Sequence, residues 1–358
     1  MEAKPKIALV KQEIYDDLYV CGVNVDAEEA LYSTFGRVGP IGLFTRLDVD
    51  FYIVKEEWDA ECQVYRKINP TMSDAVQVLK KEPINHVKGM EFHIPGTDKT
   101  HADFSVYCDE VDWDQYDIVI SLNISVPKRV IRKFCNTLWV YMIGEIRSGS
   151  LREKYNYGVF HGYDFSLNQL ARGRENPKMG MIDFPYTFMG KDCMASIIKK
   201  RLGRDAENDG IFVEINSCEE RPVKSVPKAF MGLGDFKFRL HQQRIADNLR
   251  ELYDAKYFIK WGGRKIRGNS VVEAISAGTL VIANRDDFCY NQAIQGECDV
   301  KSLDEIKALL VKLENNDEHY KSLLEEQQSL VEYYFYQKPV ESLIKAYKQK
   351  FGNFTFRK

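Results

Sequence analysis

The sequence lacks the features that would place it in several large functional classes. Its 50 lysines and arginines stand against 53 aspartates and glutamates, a net charge of −3 over 358 residues, a balance that argues against a general nucleic-acid-coating surface and leaves room for a local basic patch. No apolar run approaches the ~18 residues needed to span a bilayer. The opening MEAKPK leads straight into a strand-like run with no secretory hydrophobic region. The eight cysteines (Cys21, Cys62, Cys108, Cys135, Cys193, Cys218, Cys289 and Cys298) form no CxxC pair, which argues against a metal site and points to free thiols in a reducing cytoplasm. There is no internal repeat and no low-complexity tract. No GxSxG turn, no GxxxxGK[ST] loop and no GxGxxG after the first strand occurs; KIALVK runs on into QEIYDD. Dinucleotide dehydrogenase and P-loop ATPase are disfavoured accordingly.

What is present is ordinary globular material, 44% hydrophobic and 29% charged, able to bury a core without staples. The length exceeds the ~250–300 residues at which single cores stop growing, so two domains are expected. Short apolar runs alternate with helical stretches, the pattern of a parallel sheet covered by helices. Strands are expected at 6–11, 50–54, 117–122, 137–143, 160–165 and 181–184, and helices at 41–47, 127–135 and, once or twice, across 56–82. Residues 83–112 read as irregular. The second half repeats the grammar, with strands at 211–215, 256–260 and 279–283 and helices at 191–202, 242–252, 270–277, 302–314, 317–335 and 340–351. The polar stretch 203–210 (GRDAENDG) reads as close to a linker. The fold class is therefore α/β, two Rossmann-like doubly wound domains at 1–190 and 205–335. Such sheets bind ligands beyond the carboxyl ends of their strands, and two of them facing each other make a cleft the natural site.

The stretch that carries chemistry is 261–288, WGGRKIRGNSVVEAISAGTLVIANRDDF. A strand ends at Trp261, and Gly262–Gly263 permit a tight turn. The cations Arg264, Lys265 and Arg267 follow, and a helix opens with Asn269 or Ser270 as its N-cap. A helix N-terminus attracts anions through its unpaired N–H groups and its dipole; three cations beside it make a place for a phosphate or diphosphate. Glu273, taken to lie in the first turn, is suited to accept hydrogen bonds from sugar hydroxyls. Gly278 closes the helix. Each of these residues alone reads as a solvated turn or a dipole-complementing carboxylate; their combination favours an anion site.

The run SVVEAISAGTLVIA, through Ser270, Glu273, Ala274, Gly278, Val281 and Ile282, resembles the donor-binding signature of GT-B-fold glycosyltransferases, both the family 4 and the exostosin-like enzymes. The resemblance implies that Glu273 holds the donor's ribose while Ser270 and neighbouring amides meet the diphosphate. It also implies that the last helix, in 340–358, crosses back to the first domain. Family 4 carries a second Glu eight positions before the first; here that position is Lys265, which weakens a retaining mechanism. In such enzymes an Arg and a Lys after the first strand of the second domain contact the donor phosphates. Arg221 with Lys224 or Lys228 resembles that pair, or else decorates a surface loop.

In the first half, Glu145 directly follows the strand at 137–143. It is a candidate general base for an acceptor hydroxyl, with a helix cap or an ion pair to Arg147 or Arg152 as the alternative. His161, near Asp164, reads as a structural histidine, with a general base as the alternative. Gly36–Gly42 with Arg37 resembles the loop before the first helix of such enzymes, or is a plain turn. Two DxD triplets, Asp112–Trp113–Asp114 and Asp48–Val49–Asp50, enter strands instead of leaving them and read as punctuation; no metal and no cofactor beyond a nucleotide-sugar co-substrate is expected. The resemblance thus implies sugar transfer from a nucleotide-activated donor to a hydroxyl of a saccharide or glycoconjugate acceptor, with neither nucleic acid nor a membrane span involved. Two rivals remain: a nucleotide-sugar epimerase of the same architecture, and a non-catalytic nucleotide-sugar-binding subunit.

Overall fold

Two separate β-sheets organise the chain. The computed structural model describes residues 4–12, 47, 49–54, 76–83, 104–122, 126–142, 162–168, 180–183, 189–216, 238–240, 245–262, 268–352 and 356. These fall into two units: one holds the described residues up to 183 together with those from 339 onward, the other those from 189 to 338.

The first unit is built on eight strands: β1 (Ile7–Gln12), β2 (Val49–Val54), β3 (Val76–Pro83), β4 (Phe104–Tyr107), β5 (Ile118–Leu122), β6 (Leu138–Met142), β7 (Phe165–Asn168) and β8 (Gly180–Asp183). Their order is β4-β3-β2-β1-β5-β6-β7-β8. Every pairing is parallel except β3 with β4. Strands buried on both faces read as unbroken apolar runs, and Ile7–Val10 and Ile118–Ile120 are fully buried. Helix α1 (Lys128–Lys133) follows Pro127, whose missing N–H costs nothing at a helix start. Beneath it Trp113 stacks edge-on against Trp139, with ring centroids 5.6 Å apart.

Three expectations fail here. Part of the helical stretch expected across 56–82 is the strand β3, because Val76 and Val78 alternate along a parallel register with β2, running from Phe51↔Val76 to Val54↔Leu79; sheet pairing overrides the local helical spacing. The supposedly irregular 83–112 contains β4, a four-residue edge strand too short to announce itself. The strand expected at 160–165 begins at Phe165. The expected helix at 41–47 lies outside the described residues apart from Leu47.

Polar residues at the amino ends of the strands dock the last helix, α7 (Lys338–Phe351). Lys350 Nζ donates to the Thr137 carbonyl at 2.9 Å and to Asp164 at 2.6 Å. Asp164 also accepts the Trp139 N–H at 2.8 Å, and Tyr347 OH reaches Asp117 at 3.4 Å.

The second unit has strands β9 (Ile211–Asn216), β10 (Phe238–Leu240), β11 (Tyr257–Gly262) and β12 (Leu280–Ala283), all parallel, in the order β10-β9-β11-β12. β10, three residues long, gave no signal in the sequence. Helices α2 (Cys193–Leu202), α3 (Ile245–Asp254), α4 (Asn269–Ser276), α5 (Leu303–Glu314) and α6 (Asp317–Glu332) belong to it. The stretch 203–210 lies inside this unit and is fastened: Arg204 forms a bidentate pair with Asp254, both contacts 2.7 Å, and Asp209 N–H donates to the Asp254 carbonyl. Its polarity reflects exposure, not a domain junction.

The helix expected to end at 335 instead passes through a π-turn, Tyr333–Gln337, directly before Pro339. Proline has no N–H for the carbonyl four residues back, and that carbonyl, on Phe335, accepts the Met189 N–H at 3.0 Å.

The edge strand β12 is closed by a side chain. Gln327 on α6 accepts the Val281 N–H at 2.9 Å and donates to the Val281 carbonyl at 2.7 Å, all buried. A buried backbone group left without a partner costs about 1–3 kcal/mol. Gln327→Leu should therefore destabilise the protein by at least about 2 kcal/mol, read as a lowered urea midpoint at unchanged m-value. Gln327→Glu, which sets a buried carboxylate against the Val281 carbonyl, should destabilise at least as much at neutral pH.

Candidate functional site

Parallel strands send their connecting loops out from their carboxyl ends. In the second sheet β9 and β11 are hydrogen-bonded neighbours, and their last residues, Asn216 and Gly262, face each other in register. The chain runs from β9 outward to β10 and returns to β11 on the opposite side of β9. The strand order therefore reverses between β9 and β11, the kind of topological switch point at which open α/β sheets bind ligands.

Both cationic stretches of the sequence leave from this pair of strand ends. Arg221 and Lys228 follow β9, and Arg264, Lys265 and Arg267 follow β11. All five side chains lie outside the described residues, as does Glu145. Glu145 comes three positions after Met142, the end of β6, which pairs with β5. The first sheet reverses its own strand order between β5 and β1. His161 and the 36–42 segment are likewise outside the described residues.

Three candidates are described: Asn269, Ser270 and Glu273. Neither Asn269 nor Ser270 is the N-cap. That position is Gly268, at φ +112°, and α4 begins at Asn269. A Cβ on Gly268 would sit 2.6 Å from the Phe288 ring, so only glycine can make this turn, and the two polar residues are carried into the first turn, half-buried. Glu273 is the fifth residue of α4, hence in its second turn, and is 6% exposed. Gly278, at φ +95°, ends the helix through its N–H to the Ile275 carbonyl.

The segment after β12 braces this entrance. Asp287 Oδ2 accepts the Gly262 N–H at 2.9 Å in a buried contact; Gly262 is itself left-handed, at φ +72°. The next residue, Phe288, packs against Gly268. The brace is held in turn. Asn284 caps the 3-10 turn Arg285–Asp287 by accepting the Asp286 N–H. Lys301 Nζ donates to Asp299 at 2.9 Å, Asp286 at 3.0 Å and Asn284 at 3.2 Å. The Asp299 carboxylate, helped by Asp286, holds the Lys301 ammonium above its ordinary range. In the sequence this RDDF stretch shows only two consecutive carboxylates after an apolar strand, and nothing local marks their role. Two residues before the strand ends, Lys260 and Glu214 form an ion pair of 2.6 Å between register partners, so this part of the sheet carries no net charge from them.

Other candidates resolve as structural. Asp112 caps the 3-10 turn Trp113–Gln115 by accepting the Asp114 N–H at 3.1 Å. Asp50 accepts the Tyr116 hydroxyl at 2.5 Å. Burial, then the Asp50 contact, pushes the Tyr116 hydroxyl far above its ordinary pKa. Cys298 is buried, and its thiol is pushed up to about 12, which leaves it unreactive. Among the described residues no cluster of His, Cys, Asp and Glu side chains is arranged to hold a metal ion, and no helix is long and apolar enough to cross a membrane.

No protein-family model and no curated protein matches the sequence. Solved structures similar to it include the pneumococcal O-GlcNAc transferase GtfA in complex with UDP and GlcNAc, at 9% identity and a TM-score of 0.48 over 97% of this chain and 100% of that one. A glycosyltransferase from Rickettsia africae is similar at 10% identity and a TM-score of 0.47 over 98% and 100%. The sucrose-phosphate synthase of Thermosynechococcus elongatus is similar at 11% identity and a TM-score of 0.44 over 97% and 99%. All three scores are below 0.5.

Gly268 offers a direct check of the entrance geometry. Gly268→Ala places a methyl group into the Phe288 ring at a left-handed backbone position. It should cost about 1–3 kcal/mol of stability, measured by chemical denaturation, whereas Gly203→Ala, with open space around its Cβ and φ +64°, should cost only the backbone share of that.

Proposed function

We propose that the chain is a GT-B-type glycosyltransferase that moves a sugar from a nucleotide-activated donor to a hydroxyl of a saccharide or glycoconjugate acceptor. The observation that carries the reading is the in-register pair Asn216–Gly262 at the switch point of the second sheet. From it depart both basic stretches and, past Gly268, the helix that bears Glu273. A diphosphate needs several cations and oriented N–H donors within a few ångströms. In sequence, both basic stretches follow strands whose last residues are register partners, which supports this reading.

In this reading Arg264, Lys265 and Arg267, together with Arg221 and Lys228 and the first-turn amides at Asn269 and Ser270, hold the donor's diphosphate. They stabilise the charge that develops on it as the bond to the sugar breaks. Glu273 accepts hydrogen bonds from the ribose. Glu145 takes the proton of the acceptor hydroxyl as that oxygen attacks the anomeric carbon; the bond from that carbon to the phosphate oxygen breaks, and the nucleoside diphosphate leaves with the electron pair. The chain's own cations do the work that a metal ion does elsewhere. We take the cytoplasm as the site of action, since scattered cysteines without a CxxC pair suit a reducing compartment.

The test is a panel of nucleotide sugars incubated with the protein, with and without saccharide acceptors. Nucleoside diphosphate released only when acceptor is present supports transfer. A new nucleotide sugar formed without acceptor identifies an epimerase, and binding without turnover identifies a non-catalytic subunit. Two sets of variants refine it. Glu145→Gln should leave donor affinity unchanged and lower kcat by ~10²–10⁴-fold; near-normal turnover would make Glu145 structural. Among Arg264→Ala, Lys265→Ala and Arg267→Ala, at least one should weaken nucleoside diphosphate binding by roughly ten- to a hundredfold, the worth of a charge-assisted contact, while nucleoside binding holds. If all three retain the diphosphate's full advantage, the phosphates bind elsewhere.

A further inference from the structure

The five residues between Gly262 and Gly268 carry all three cations of the β11–α4 connection, and both of its ends are held by consecutive residues of another segment. Asp287 fixes the Gly262 amide at 2.9 Å. Phe288 sets the turn at Gly268 by leaving no room for a side chain there. The two glycines sit at left-handed angles, φ +72° and +112°, conformations that cost other residues energy and that the neighbouring contacts lock in place. Asp287 is 5% exposed, and the Asn284–Lys301–Asp299 network fastens the turn that presents it.

We propose that Asp287 is a positioning residue for nucleoside diphosphate binding: by holding the Gly262 N–H it fixes the point at which β11 ends and the chain enters the stretch that carries Arg264, Lys265 and Arg267. The proposal rests on the reading above, in which those cations bind the diphosphate. Its chemistry has a sign that separates it from a bystander role. A carboxylate close to an anion site repels the anion, so an Asp287 that acted only through its charge would weaken diphosphate binding, and its removal would strengthen it. An Asp287 that acts through its hydrogen bond does the reverse.

Three proteins decide it: wild type, Asp287→Asn and Asp287→Ala. For each, the affinities for UDP, GDP, ADP and their nucleosides are measured by calorimetry, giving the ratio of nucleoside to nucleoside diphosphate dissociation constants. Asparagine keeps an acceptor for the Gly262 N–H and loses the charge, so Asp287→Asn should hold the wild-type ratio or exceed it. Asp287→Ala should lower the ratio at least tenfold while nucleoside affinity stays within twofold. Faster amide exchange at Gly262 in the alanine variant alone would accompany this. If Asp287→Ala keeps or raises the ratio, or if Asp287→Asn loses as much as alanine, the positioning role is overturned. If wild type itself shows no preference for the diphosphate, the functional reading fails first and takes the proposal with it. Should Asp287→Ala not fold, Asp287→Ser is used, its hydroxyl too short to reach the same amide.

Discussion

The parallel pairing of β9 with β11 is the constraint on which the proposed site depends. Six register pairs, from Tyr257↔Ile211 to Gly262↔Asn216, bring two strands about forty-five residues apart to a common carboxyl edge. β11, buried along its whole length, and the buried Ile211–Val213 of β9 hold that register, because a slip by one residue would reverse every side chain. Phe212 and Phe258, in edge contact at 5.5 Å, lie on one face with the Glu214–Lys260 pair beyond them. The edge thus ends at a fixed level, and the basic stretches that follow start from adjacent points however their own backbones run.

Polar groups divide by strand end. In the first unit the amino ends of the strands carry Asp50, Asp117 and Asp164, and each is engaged in a structural contact with a backbone amide, a tyrosine hydroxyl or Lys350 of the last helix. Carboxylates so engaged stabilise the fold and are poor candidates for chemistry. In the second unit the polar network of Asn284, Asp286, Asp299 and Lys301 lies just past the carboxyl end of β12 and fastens the turn that presents Asp287 to the Gly262 amide. The π-turn at Tyr333–Gln337 is a backbone solution of the same kind: Pro339 withdraws one donor, and Met189 supplies it from another segment.

The α/β class, the parallel strands of both sheets other than β3 and β10, and most elements of the second unit were legible in the sequence, because buried parallel strands such as KIALV, DIVISL and TLVIA leave apolar runs that nothing else explains. Val76–Pro83 was not, since its Lys80–Lys81–Glu82 end dilutes the strand pattern and its identity as a strand depends on β2 and β4 across the sheet. The two short edge strands β4 and β10 fell below the length at which a pattern exists. At the site, the helix after the cationic turn and its closing Gly278 were readable. Its true opening at Gly268 was not, because that depends on Phe288, twenty residues on, standing where a Cβ would go. Asp287 escaped notice for the same reason: its buried contact with the Gly262 amide joins residues twenty-five positions apart, which no local pattern encodes.

The central claim is that the carboxyl edge at Asn216 and Gly262 receives a nucleoside diphosphate. Hydrogen exchange resolved to single amides, with and without saturating UDP, GDP or ADP, tests it most directly, since binding slows exchange at the amides it covers or steadies. The account predicts that at least one of these ligands protects the ends of β9 and β11 and the first turn of α4, residues 214–216, 260–262 and 268–271, and leaves the amino ends of the same strands unchanged. Protection confined to any other part of the chain, or none with any of the three, would contradict it.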